Sequence, residues 1–204
     1  IDVVAAFDAW DTAIATYNIN RVDEHGFVED LSTFPPADAE SKYGIEPSGV
    51  DVIVGGPPCQ GFSLMGQRDP EDERSNQVQR YFDWVYYFGP SVWVMENVPG
   101  LLSMEDGEAI DNIVKTGEEM GYEVDYRVIN ADEFEVPQSR KRLFVVGCKT
   151  GSWDWPVPVT ADSPIPCGWE LDDISEIGLT GPGDDPCLWA PNHEAANPWA
   201  STIE

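Results

Sequence analysis

Three short stretches carry side chains able to do covalent and acid–base chemistry. In DVIVGGPPCQGFS, residues 51–63, β-branched apolar residues give way to two glycines, two prolines and Cys59. A cysteine inside an element behaves as a small hydrophobe, but one on a stiff turn after a strand lies where open α/β sheets collect reactive groups. To act as a nucleophile it must be available as thiolate, which unsatisfied N–H groups at the start of a loop or helix favour. Position alone also allows an inert turn cysteine. In VWVMENVPG, residues 92–100, Glu96 and Asn97 stand just past a second apolar run. If the two runs are adjacent parallel strands, thiol and carboxylate reach one sheet edge as nucleophile and proton donor; a glutamate that merely caps the turn before Pro99 is the plainer alternative. In VPQSRKRLFVVG, residues 136–147, Gln138, Arg140 and Arg142 are spaced i, i+2, i+4 ahead of a strand, which points them the same way. Two guanidinium forks on one face suit a carbonyl or phosphate oxygen, with salt bridges to some of the chain's 38 acidic residues as the competing use.

The elements that must position these groups follow from periodicity and punctuation. Strands are expected at 2–7, 50–54, 92–95, 122–129 and 142–147. Helices are expected at 11–19, on Ala13, Ile14 and Tyr17, and at 76–88, on Val78, Phe82, Val85 and Tyr86 before Gly89-Pro90. A third helix is expected at 105–120, opened by a Ser103/Asp106 capping box and stopped by Gly121. The β-α-β-α order implies an α/β fold with a doubly wound, mostly parallel sheet. After Cys148 the composition turns to Trp, Pro, Gly and Asp without period. This places a boundary near Thr150, with 1–150 as a core and 151–204 as an irregular region or the start of a second domain.

Composition limits the function classes. A chain of 204 residues with 42% hydrophobic content can build one substantial core. No apolar stretch approaches the roughly 20 residues a membrane-spanning helix needs, so a cytoplasmic protein without a membrane partner is expected. Cys59, Cys148, Cys167 and Cys187 are far apart and only His25 and His193 could join them, so no metal site is expected. The net charge is −27, with 11 basic residues. Alone this argues against a nucleic-acid partner, since phosphate contacts come mostly from Lys and Arg. The acids, however, are spread through apolar-periodic segments, a pattern that fits a surface adapted to molar salt. Under such screening, net charge says little about partners.

Taken together and in this order, PPCQGFS, ENVPG and QSRKR resemble the nucleophile, glutamate and Gln-x-Arg-x-Arg motifs of the DNA (cytosine-5)-methyltransferase family, over about residues 1–150. The resemblance implies a Rossmann-like methyltransferase sheet, S-adenosyl-L-methionine as cofactor, double-stranded DNA as substrate and a restriction endonuclease as companion. It implies Cys59 as the nucleophile toward C6 of a flipped cytosine, Glu96 at the N3 and exocyclic-amine edge, Arg142 at the O2 carbonyl and Arg140 in support. Gln60, Ser63, Asn97 and Gln138 would shape the substrate pocket. Asp8 would meet the cofactor's ribose, Asp30 and Leu31 its adenine, and Pro58 and Val78 would line its pocket. The stretch GFSLMGQRDPEDERSN would close over the base, with Arg68 and Arg74 on phosphates.

The chain departs from the family pattern in lacking the Phe-x-Gly-x-Gly loop expected before its first strand and the family's C-terminal motifs. It therefore reads as a piece of a larger enzyme, in which 151–204 would begin the region that recognises DNA sequence. Two other readings share these residues: a transfer-RNA cytosine methyltransferase of the same superfamily, and a non-catalytic homologue acting as a binding or regulatory partner.

Overall fold

The computed structural model describes residues 2–22, 24–58, 77–163 and 165. The described residues of Ile1–Leu31 form one compact unit and those of Ser32–Trp169 another.

The first unit is a single β-α-β turn of chain. β1 (Ala6–Asp8) and β2 (Gly26–Val28) pair in parallel, Phe7 facing Phe27, and α1 (Asp11–Ile19) connects them while burying Ile14. Asn18 closes the crossover. Its amide donates to the Gly26 carbonyl at 3.1 Å and accepts from the Gly26 N–H at 2.9 Å. A Cβ at residue 26 would lie 2.6 Å from the Asn18 Oδ1, so only glycine allows this double bond. β1 is shorter than the strand expected at 2–7 and ends one residue later, and β2, three residues long, is an additional strand with no periodic signal of its own.

The second unit holds α2 (Pro36–Tyr43), β3 (Val52–Gly55), α3 (Gln77–Phe88), β4 (Val92–Asn97), α4 (Glu108–Glu119), β5 (Glu123–Asn130) and β6 (Lys141–Cys148). Its sheet has the order β3-β4-β6-β5, with β3 parallel to β4 and β6 antiparallel to both neighbours. The α/β class is as expected. Two of the four described ladders are parallel, and β6 runs the other way because only ten residues, too few for a crossover, separate it from β5.

One face of this sheet meets the helices. Trp93, Met95, Leu143 and Val145 are fully buried there, against Val78, Phe82 and Val85 of α3 and Ile110 and Ile113 of α4. Trp93 fits a notch that glycine makes: a Cβ at Gly117 would come within 2.7 Å of its ring, and one at Gly147 would overlap it. α4 begins three residues later than expected. Ser103 does not cap it but donates to the Gly100 carbonyl at 3.1 Å. Glu105, Asp106 and Gly107 all take positive φ, so the chain reverses before the helix starts at Glu108. Among the described residues no helix is long and apolar enough to cross a membrane, and no three His, Cys, Asp or Glu side chains are grouped as a metal ion would require.

Candidate active site

β4 runs two residues further than its apolar pattern predicts, because antiparallel β6 pairs with it as far as Asn97↔Leu143. Glu96 and Asn97 are thereby strand residues, held by the ladder, with side chains on opposite faces. Asn97 lies on the buried face with Trp93 and Met95; Glu96 lies on the other.

On that second face Glu96 is paired across the ladder with Phe144, and Arg142 is its diagonal neighbour. The Arg142 Nε donates to Glu96 Oε1 at 2.7 Å, and its Nη1 donates to the Lys141 carbonyl at 2.8 Å. Two of five guanidinium N–H groups are thus used, leaving up to three for an acceptor on a bound molecule. The pair is about one-third to one-quarter exposed, Glu96 at 36% and Arg142 at 23%. An ion pair so open to water contributes only about 0–1 kcal/mol to stability, so its geometry matters more than its energy. The parallel ladder puts Gly55 opposite Met95, and the next residue, Gly56, lies against Glu96: a Cβ there would be 3.2 Å from Glu96 Oε2. The consecutive glycines serve opposite faces, since a Cβ at Gly55 would meet the Tyr81 ring at 2.8 Å. Tyr81 donates to the Val94 carbonyl at 2.9 Å, and burial pushes its hydroxyl pKa well above the ordinary tyrosine value, with Tyr122 adding to the rise.

The structure therefore brings together Glu96, Arg142, Asn97 and the Gly56-Pro57 turn. Arg140 and Gln138 are not aligned with Arg142 on one strand, because β6 starts at Lys141. Gln138 sits in a bend with its N–H on the Val136 carbonyl at 2.7 Å, and Arg140 joins the ladder only through its carbonyl, to the Ala131 N–H at 3.0 Å. Both side chains are exposed. Cys59, Gln60 and Ser63, with Arg68 and Arg74, lie outside the described residues. Pro58 is exposed, whereas Val78 is 4% exposed within the main core. In the first unit, Asp8 ends β1 exposed, with its Oδ1 accepting the Trp10 N–H at 2.8 Å; Asp30 is exposed and Leu31 half-buried. Sequence reasoning missed the fit of Gly56 to Glu96; two glycines in succession at a strand end were the available signal. Cys148, the free thiol among the described residues, is buried at the end of β6, and burial together with Glu123 raises its pKa, as suits an inert thiol.

A carboxylate and a guanidinium fixed side by side, on a face left open by glycine, offer acceptors and donors to the edge of a planar polar ring. The family model for C-5 cytosine-specific DNA methylase matches residues 1–164. The Type II methyltransferase M.AgeI of Thalassovita gelatinovora is 36% identical over 176 residues, covering 86% of this chain and 41% of its own length. The Type II methyltransferase M.DdeI of Desulfomicrobium norvegicum is 40% identical over 146 residues, 70% of this chain and 34% of its own. Among solved structures, a candidate DNA modification methyltransferase encoded within an E. coli prophage superposes with a TM-score of 0.60 at 27% identity, covering 72% of this chain and 40% of that one. The chain thus spans well under half the length of these relatives.

Proposed function

Because this chain belongs to the C-5 cytosine-specific DNA methylase family, we propose that it transfers a methyl group from S-adenosyl-L-methionine to C5 of cytosine in double-stranded DNA. The observation that carries the reading is the Glu96–Arg142 pair at 2.7 Å on the sheet's open face. A cytosine taken out of its stack would present N3, the exocyclic amine and O2 along one edge. Glu96 would bind N3 and the amine and supply the proton that makes C6 electrophilic, and the remaining N–H groups of Arg142 would bind O2. The Cys59 thiolate would form a bond to C6, moving electron density to C5. C5 would then take the methyl group, with S-adenosyl-L-homocysteine leaving; loss of the C5 proton to a base and return of the N3 proton to Glu96 would re-form the C5–C6 double bond and expel the thiolate.

Bound S-adenosyl-L-methionine supplies the electrophilic methyl. The residues assigned to it have suitable chemistry: Asp8 is an exposed carboxylate at a strand end, held there by the Trp10 N–H, as ribose binding requires. Asp30 and Leu31 would meet the adenine, Pro58 would line the pocket, and Val78, being buried, would support it from the core. The relatives are Type II methyltransferases, so a restriction endonuclease blocked by the methylated site is the companion we assign. The test is transfer of labelled methyl to duplex DNA and to tRNA in parallel, in molar KCl, with Cys59→Ser as control. Cysteine-dependent transfer to DNA alone is expected; transfer to tRNA alone would move the chain to the RNA branch, and transfer to neither would overturn the reading.

A further inference from the structure

The geometry points to Asn97 as a positioning residue that fixes the turn leading into Cys59 relative to the Glu96–Arg142 pair, in place of the substrate contact its sequence position suggests. The inference rests on the function proposed above. Asn97 is 5% exposed, and both ends of its amide are engaged: Nδ2 donates to the Pro57 carbonyl at 2.9 Å, and Oδ1 accepts the Val98 N–H at 2.9 Å. The β3–β4 ladder ends at Gly55↔Met95. Two residues on, Pro57 has no N–H with which to continue it. The Asn97 side chain takes over at that point, tying the end of β4 to the diproline turn two residues before Cys59. Because side chains alternate along β4, Asn97 lies on the helix-covered face while Glu96 lies on the other. A base held by Glu96 and Arg142 would therefore be across the sheet from it. Glu96 and Asn97 are consecutive, so one short piece of backbone carries both the carboxylate and the anchor of the turn at Gly56-Pro57.

Asn97→Asp tests this in the full chain. The variant keeps the shape and the acceptor for Val98 but turns an acceptor toward the Pro57 carbonyl. Misplacing reacting groups by an ångström costs on the order of 10²-fold in rate. A fall of about that size in kcat for methyl transfer is expected, with KM for duplex DNA and for S-adenosyl-L-methionine changed less than about threefold. If the Asp variant does not fold, Asn97→Ser, which withdraws the reach to Pro57 without adding charge, is read by the same split. A raised KM for DNA with kcat retained would make Asn97 a substrate contact and overturn the proposal, as would unaltered kinetics. Both outcomes require an active wild type. A wild type without transfer would instead overturn the functional reading, and this inference with it.

Discussion

Along β4 the side chains alternate between two environments. Trp93 and Met95 point into α3 and α4 and are fully buried, whereas Val92, Val94 and Glu96 face the other side, where Val54 of the neighbouring strand is 71% exposed and Val52 45%. One face is close-packed: Trp93 sits in a glycine notch, and Tyr81 is locked over Gly55 by its bond to the Val94 carbonyl. The other carries a half-open charge pair that adds little to stability. The buried face holds the strand rigidly enough for the open face to hold polar groups that water would otherwise leave loose.

Substitutions should separate the two faces by what they damage. Glu96→Gln removes a proton donor and is expected to lower methyl transfer by roughly 10²–10⁴-fold, with S-adenosyl-L-methionine affinity by calorimetry and the denaturation midpoint nearly unmoved. Trp93→Ala, three residues away on the core face, should instead cost about 3–5 kcal/mol of unfolding free energy. A Glu96 variant that lost stability and kept its rate would erase the distinction. The adjacent glycines give a finer version. Gly56→Ala crowds Glu96 Oε2 and should reduce turnover about tenfold while leaving stability within ~0.5 kcal/mol, whereas Gly55→Ala presses on the Tyr81 ring and should cost about 1–3 kcal/mol of stability. The smallest effect concerns the outer surface. With a net charge of −27, repulsion should relax as salt shortens the screening length to about 3 Å at 1 M, so the melting temperature should rise with KCl; a flat response would reject salt adaptation.

Long apolar periods were legible. The helices expected at 11–19 and 76–88 match Asp11–Ile19 and Gln77–Phe88, because Ile14 and the row Val78, Phe82 and Val85 are their buried faces; Tyr86, expected in that row, is instead exposed, and Tyr81 and Phe88 are buried. α2 was not legible, since Ala39 is its buried residue and no stripe precedes Gly44. The end of β4 is not in the local pattern either: pairing with β6, a tertiary event, carries the strand through two polar residues. The capping box failed for a similar reason, as the left-handed turn at 105–107 uses the same residues differently. In the site, residue types and order marked Glu96, Asn97 and Arg142 as a group. Which of them touch was not in the pattern, because it depends on the stagger between β4 and β6 and on the room Gly56 leaves.

The most direct test of cysteine chemistry on cytosine is a stability-under-denaturation assay of the full chain with a 5-fluorocytosine duplex and S-adenosyl-L-methionine. Fluorine at C5 blocks the final proton loss and so retains the protein–DNA bond. We expect one denaturant-resistant adduct per active chain, absent in Cys59→Ala. No adduct with the wild type, or an adduct that survives Cys59→Ala, would contradict the account.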